Sequence, residues 1–317
     1  MKAVLYERFG PPVVLRVAEI PEPVLQPGSA KVRIHATSIN AIDVIFRSGQ
    51  RKGRILSGIF RPKLSILGFD FAGEVVALGD GVDGLSVGDR VVGISRSGGA
   101  NAEYLCVEPA AVTTIPDQVE YVEAAAFAGA GSGALLFLHA IGGLEPGHRV
   151  LIVGASGGLG TFAVQLAHHY GAEVTGVCST RNMDLVRSLG ADDVIDYTRD
   201  DPTARRNAYD VIFDTVAAGS FGAYREALRP GGVYSTTVAG LGVLAGMALN
   251  PLRPSRRRVH FMMAGGIPRD SLQPVVDLAA EGSLKSIIEL QLPLDRTVAA
   301  HRHYETGHTR GKIVVTV

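Results

Sequence analysis

A glycine-rich turn near the middle of this chain constrains its fold more than any other feature. The apolar run Arg149–Val153 predicts a buried strand, and the apolar spacing of Leu159–Tyr170 predicts a helix that ends at Gly171. Backbone N–H groups at the start of such a helix attract anions, and glycines let a pyrophosphate approach the backbone. The strand–turn–helix unit therefore predicts a dinucleotide site at the turn residues Gly154, Ala155, Ser156, Gly157, Gly158, Leu159 and Gly160.

The regions on either side of the turn differ in their predicted secondary structure. Strand-like and helix-like patterns alternate after the turn, which is typical of a doubly wound parallel sheet. Residues 1–118 instead hold short alternating runs separated by turn residues, and the chain ends in another such run, Lys312–Val317. We therefore predict an α/β fold with a β-rich part at 1–118, a dinucleotide-binding domain at 119–262, and a C-terminal segment at 263–317 that returns to the first domain.

The tip of the second strand indicates which dinucleotide binds. NAD sites usually carry an acidic residue there, about 20 residues after the turn, to hold the ribose 2′-hydroxyl. Here the strand that ends at Cys178 is followed by Ser179 and Arg181, with no carboxylate at the tip. Hydroxyl and guanidinium donors suit a 2′-phosphate, so the sequence predicts NADPH as the cofactor.

The same turn also fits a different chemistry. Gly154–Gly158 reads G-x-S-x-G, the pattern that presents a nucleophilic serine in serine hydrolases, so Ser156 is a candidate nucleophile. No His-Gly-Gly-Gly segment precedes the turn, and a long β-rich start is foreign to that hydrolase fold. The hydrolase therefore stays as the weaker alternative.

Composition excludes several other classes of protein. Lys and Arg total 31 and Asp and Glu total 31, so the formal net charge is zero, which argues against a general nucleic-acid binder. Two cysteines, Cys106 and Cys178, are too few for a disulfide framework or a four-cysteine zinc site. We found no signal peptide or membrane-spanning run, and we expect a soluble, cytoplasmic protein.

Several motifs together resemble one family. They are Ser38–Asp43 with Arg47–Gly49, Gly68–Val75, Val87–Val91, the glycine turn, Leu189–Tyr197 and Gly311–Val314. Over essentially its whole length the chain resembles the zinc-free quinone oxidoreductase branch of the medium-chain dehydrogenase/reductase (MDR) superfamily. The resemblance implies a Rossmann domain with a GroES-like β-barrel domain, and a homodimer. It also implies hydride transfer from NADPH to α,β-unsaturated carbonyls, either enones or enoyl thioesters, or to quinones.

The resemblance also assigns roles to single residues. It implies that Ser179, Arg181 and Tyr197 surround the 2′-phosphate, and that Lys312 lies near the cofactor. Asn40 would lie near the nicotinamide, and Ser132 would partly replace a family threonine that faces the carboxamide. The tyrosine that many members carry after Arg-x-Gly is absent from Gly49–Lys52. Asp43 is left as either a general acid or a buried structural group.

The resemblance predicts no metal. Zinc-dependent relatives have a cysteine where this chain has Asn40, and Gly-His-Glu where it has Gly68–Asp70. A catalytic zinc needs about three N, S or O protein ligands, and these substitutions remove that set. We interpret the nearby trio His301, His303 and His308 as a solvated helix face and turn.

Two further alternatives remain open at this stage. The chain could be an NADPH-binding sensor or regulator that turns over no acceptor. The basic segment Arg253–Arg258 is either a solvated loop or a dock for a CoA-linked or carrier-linked substrate.

Overall fold

The computed structural model describes residues 1–50, 57–237, 240–252, 257–261 and 269–317. The chain forms two compact units. The first unit contains Met1–Gly129, Leu272–Ala280 and Ser286–Val317, and the second contains Ala130–Ser271 and Glu281–Lys285. The first two changes of unit fall at 129/130 and 271/272, later than the predicted 118/119 and 262/263 boundaries, and Glu281–Lys285 then returns to the second unit.

The elements are numbered here in chain order. The strands are β1 Lys2–Leu5, β2 Arg16–Glu19, β3 Ala30–Ile39, β4 Asp70–Leu78, β5 Arg90–Ile94, β6 Tyr104–Val107, β7 Val112–Thr114, β8 Arg149–Val153, β9 Glu173–Cys178, β10 Asp193–Asp196, β11 Tyr209–Asp214, β12 Leu228–Thr236, β13 Arg258–Phe261, β14 Ile288–Pro293 and β15 Lys312–Thr316. The α-helices are α1 Ala41–Ser48, α2 Tyr121–Leu136, α3 Gly160–His169, α4 Met183–Ser188, α5 Phe221–Tyr224, α6 Leu241–Ala248, α7 Leu272–Ala280 and α8 Thr297–Glu305. Short 3₁₀ turns cover Pro12–Val14, Pro109–Ala111, Thr180–Asn182, Asn250–Leu252, Arg269–Ser271 and Leu294–Arg296, and a π-helical turn covers Phe137–Ile141.

The first unit is built around a seven-stranded sheet. Its path runs β14–β15–β3–β4–β5–β7, and β6 also pairs with β3. Strand β15 lies antiparallel to β3, with Val314 opposite Ser38, so the end of the chain is paired with its beginning. Alternate side chains of these strands, including Ile34, Phe71 and Val91, form one apolar core. The predicted return of the terminal strand places Lys312 beside the end of β3.

The second unit contains the predicted doubly wound sheet. Its six strands are all parallel, in the order β10–β9–β8–β11–β12–β13. Strand order reverses at β8, which lies between β9 and β11, and ligands of such sheets bind at the carboxyl ends of the strands at this switch point. The glycine turn follows β8 directly, so the fold puts it at the expected place.

Some local predictions were wrong. Helix α1 lies within the segment predicted to be β-rich, and α6 and β14 had no predicted counterpart. After β11 the chain forms only the short helix α5, because Leu228 is already buried in the sheet core at the start of β12. These elements are eight residues or shorter, whereas helical periodicity is recognised over windows of about 11–18 residues.

One stretch, Tyr121–Ile141, is long and apolar enough to cross a membrane by length and composition alone, although the sequence analysis had identified none. Within its most apolar window, 67% is buried inside the protein. A buried core helix of a soluble protein passes the same test, so this finding is weak evidence for a membrane span.

Candidate cofactor and active site

The glycine turn is too tight for side chains at two of its positions. Gly154 has a φ of +80°, and a Cβ built there would lie 2.7 Å from Thr215 Oγ1 and from Val216 Cγ1. A Cβ on Gly160 would lie 2.1 Å from the Gly154 carbonyl oxygen. Close packing within the protein therefore requires glycine at both positions, as in the tight turns of dinucleotide-binding domains.

A buried carboxylate shapes the neighbouring loop, which follows β11. Asp214 is fully buried and accepts backbone N–H hydrogen bonds from Val216 (3.2 Å), Ala218 (3.2 Å) and Gly219 (3.3 Å). Its Oδ2 also accepts the Tyr234 hydroxyl at 2.9 Å. These bonds hold the loop in a conformation in which Ala217 has a φ of +50°. Asp214 was not predicted, because nothing in the sequence distinguishes it from other acids at the ends of strands.

The residues predicted to bind the 2′-phosphate lie along one edge of the second unit's sheet. Strands β9 and β10 pair with Cys178 opposite Asp196, and the Tyr197 N–H donates to the Cys178 carbonyl at 3.1 Å. Ser179 and Tyr197 therefore follow neighbouring strand ends. Arg181 lies in the 3₁₀ turn just beyond β9 and is exposed, as is Tyr197. The structure thus brings all three candidates to the same edge.

Sequence reasoning missed an acid at this edge. The Asp196 carboxylate accepts hydrogen bonds from the Thr180 hydroxyl, the Thr198 hydroxyl (2.7 Å) and the Thr198 N–H (3.0 Å). The hydroxyl bonds hold the pKa of Asp196 below its usual value. Asp196 ends β10 rather than β9, so it is not at the strand tip where NAD sites usually place their ribose-binding acid.

Two serines in the second unit have contrasting surroundings. The Ser132 hydroxyl is buried and has no hydrogen-bond partner within the described part of the chain. Buried polar atoms normally have partners, so this hydroxyl is suited to a ligand amide. The glycine turn and the Ser132 hydroxyl together are suited to binding a nicotinamide dinucleotide.

Ser156 does not resemble an activated nucleophile. Its hydroxyl accepts a hydrogen bond from the Asn182 side-chain amide at 2.9 Å. An amide cannot remove a proton, whereas a serine hydrolase needs a histidine or similar base at that position. The contact instead ties the glycine turn to the segment after β9, and the structure gives the hydrolase alternative no support.

In the first unit, three polar side chains lie around the buried ammonium of a fourth residue, Lys312. The Lys312 Nζ donates to Asn40 Oδ1 at 2.6 Å and lies 3.8 Å from Asp70 Oδ2. The same Asp70 oxygen accepts Asn40 Nδ2 and the Ser38 hydroxyl, each at 2.9 Å. We call Ser38, Asn40, Asp70 and Lys312 the lysine cluster. Burial lowers the pKa of Lys312, while Asp70 and Asp43 oppose that effect.

Asp43 makes contacts of a structural kind. It is fully buried, and its two oxygens accept the backbone N–H groups of Gly68 and Asn40, each at 2.9 Å. The bond from Asn40 belongs to the capping box that starts α1. Burial, only partly offset by these bonds, raises the pKa of Asp43 to about 7. The geometry favours a structural role over that of a general acid.

The three histidines of the C-terminal helix region do not behave alike. His301 is fully buried rather than solvated as predicted, because α8 turns that face towards Arg47, whose Nε donates to His301 Nδ1 at 3.3 Å. Burial lowers the pKa of His301 to about 3. His303 instead contacts Glu289, and His308 contacts Thr306. Among the described residues, no group of three or more His, Cys, Asp or Glu side chains is placed to hold a metal.

The predicted basic segment Arg253–Arg258 lies partly outside the described residues, which resume at Arg257. Arg257 is buried and pairs with Glu226 at 3.3 Å. Arg258 begins the edge strand β13 and is exposed. At least one of the arginines is therefore used inside the protein and does not contribute to a surface patch.

Comparison with known proteins agrees with both units. Residues 26–117 match the alcohol dehydrogenase GroES-like domain, and residues 189–315 match the zinc-binding dehydrogenase family. The chain is 32% identical over 332 residues to the chloroplastic quinone-oxidoreductase QR1 of Triphysaria versicolor, which covers 99% of this chain and 98% of that protein. It is 31% identical over 358 residues to the human mitochondrial NAD(P)H oxidoreductase RTN4IP1, covering 100% of this chain and 89% of the relative.

Solved structures show the same fold. The quinone oxidoreductase from Coxiella burnetii superposes with a TM-score of 0.89 at 30% identity, covering 100% of this chain and 99% of that one. The Escherichia coli quinone oxidoreductase complexed with NADPH gives a TM-score of 0.86 at 23% identity, with full coverage of both chains, and supports the fold alone.

The GroES-like and Rossmann architecture and these relatives define an NAD(P)H-dependent oxidoreductase that acts on a small molecule. The chain belongs to the zinc-free quinone oxidoreductase branch of the medium-chain dehydrogenase/reductase superfamily.

Proposed function

We propose that this enzyme uses NADPH to reduce α,β-unsaturated carbonyl compounds, either enones or enoyl thioesters, with quinones as a second class of acceptor. The observation that carries the cofactor preference is the strand tip at Ser179 and Arg181, which offers a hydroxyl and a guanidinium and no carboxylate. A phosphate dianion gains from charge-assisted bonds at such a tip, whereas a ribose hydroxyl gains less. An acceptor linked to CoA or a carrier protein is included in the proposed substrate class.

Bound NADPH would supply the hydride, and the chain's own residues would bind and orient it. The N–H groups at the start of α3 would hold the pyrophosphate, and the Ser132 hydroxyl would bond the carboxamide. Tyr197 and Arg181 would bind the 2′-phosphate. Hydride delivery depends chiefly on proximity and orientation, so this account needs no metal ion.

The proposal is tested by following absorbance at 340 nm with NADPH and with NADH against enones, enoyl thioesters and quinones. We expect turnover with NADPH on an enone or thioester, and at least tenfold lower kcat/KM with NADH. Tight NADPH binding without reduction of any acceptor would favour the regulatory alternative. Preference for NADH would contradict the role given to Ser179 and Arg181.

Replacing Arg181 tests the phosphate contact alone. We expect Arg181→Gln to lower kcat/KM for NADPH by about 30-fold, because a charge-assisted bond to phosphate contributes roughly 2 kcal/mol. NADH should be used within twofold of its original efficiency. The matched control is Arg187→Gln on α4, where an exposed arginine pairs with Asp184 at 3.4 Å and no effect is expected. Equal losses with both cofactors would show that Arg181 only stabilises the fold.

A further inference from the structure

The lysine cluster holds a positive charge in a site that water hardly reaches. Lys312 and Asp70 are 4% and 2% exposed, and Ser38 is fully buried. Helix α2 packs against the cluster so closely that a Cβ on Gly129 would lie 2.5 Å from Asp70 Oδ1. In such surroundings a charge acts on a nearby dipole or anion far more strongly than it does in water.

The ammonium also retains donor capacity. It has three N–H donors. Asn40 accepts one of them, and Asp70 is the ion-pair partner. The described residues provide no acceptor for a third donor, which an incoming oxygen can use. Asn40 is only partly buried, so the cluster reaches the surface of the first unit at that residue.

We propose that Lys312 is a catalytic residue whose ammonium hydrogen-bonds the carbonyl oxygen of the acceptor and stabilises the oxyanion formed during reduction. The inference rests on the proposed function. Hydride from NADPH forms the new C–H bond at the β-carbon, the C=C electron pair moves to the carbonyl, and its oxygen becomes an enolate. Water then protonates the α-carbon, and Lys312 keeps its proton throughout. Asp70 and Asn40 are positioning residues for the ammonium.

The test uses a charge-neutral double variant, Lys312→Met with Asp70→Asn, so that no unpaired carboxylate is left buried. Loss of an oxyanion donor typically costs 10²–10³ in kcat. We expect kcat on the enone to fall about 100-fold, with the NADPH Kd, read from nicotinamide fluorescence, within threefold. Lys312→Arg should recover at least part of kcat because the charge is kept. The control, Lys2→Met, changes an exposed lysine of β1 and should have no effect.

A second readout does not require turnover. 4-Nitrophenolate mimics an enolate oxyanion, so it should inhibit the parent enzyme and Lys312→Arg. It should inhibit the double variant at least tenfold more weakly. A folded double variant with kcat within threefold of the parent, or phenolate inhibition that is absent or unchanged by the substitution, would overturn the role of Lys312. If the parent enzyme and the Lys2→Met control both bind NADPH normally and neither reduces an acceptor, the proposed function has failed instead.

Discussion

Gly160→Ala should lower NADPH affinity by about 100-fold. The new Cβ would lie 2.1 Å from the Gly154 carbonyl oxygen and 2.8 Å from Ala155 Cα, which are both backbone atoms. The glycine turn must therefore shift, and a displaced turn loses charge-assisted bonds to the pyrophosphate that contribute roughly 1.5–3 kcal/mol each. The measurement is a fluorescence titration with NADPH, together with a thermal melt of the free protein, which should also fall.

Substitutions at two other glycines distinguish strain in the turn from direct contact with the ligand. Gly242 in α6 has nothing within 4 Å of its Cβ position, so Gly242→Ala should leave NADPH binding unchanged and should not lower the melting temperature, since alanine favours a helix. A Cβ on Gly157 would meet the Gly154 oxygen at 3.4 Å, an ordinary contact. Gly157→Ala should therefore leave the melting temperature unchanged and weaken NADPH binding, because the pyrophosphate would approach there. Unchanged NADPH affinity in both Gly157→Ala and Gly160→Ala would contradict the placement of the pyrophosphate.

Arg47→Met should destabilise the first unit by about 3 kcal/mol, since removal of one partner from a buried ion pair leaves polar groups unsatisfied. Arg47 is fully buried on α1. Its guanidinium joins the Gly10 carbonyl, the Glu305 carboxylate and His301, and so ties three separate parts of the chain together. The free energy of unfolding is measured by urea denaturation followed by circular dichroism.

The control for Arg47 is an exposed ion pair in the same unit. Arg16 and Glu7 are 2.8 Å apart, with side chains 54% and 74% exposed. Exposed pairs contribute at most about 1 kcal/mol, so Arg16→Met should have a small effect. If Arg47→Met and Arg16→Met lowered stability equally, the buried network would have no special role.

The sequence predicted the second unit well because its signals are local. The turn Gly154–Gly160 lies between one strand and one helix, and the alternation that follows implies the parallel sheet. The pairing of β15 with β3 was also foreseen in outline, since the terminal run alternates like an antiparallel strand. These features depend on neighbours in the chain or on a strict period of two.

The lysine cluster and the Asp214 loop could not be predicted from the residues alone. Lys312 and Asn40 are far apart in the sequence, and their contact depends on how β15 and β3 register. Asp214 ends a strand like any other acid, and its role appears only when three N–H groups turn towards it. His301 shows the reverse error, because a histidine among polar neighbours was taken for a surface residue.

The most direct test of the central claim follows the hydride itself. NADPH deuterated at C4 of the nicotinamide, in both stereochemical forms, is incubated with the enzyme and an enone, and the product is examined by NMR. We expect deuterium at the β-carbon from one of the two forms, with one NADPH oxidised for each product molecule. Oxidation of NADPH without deuterium in the product, or binding without oxidation, would contradict the assignment of this protein as an NADPH-dependent enone reductase.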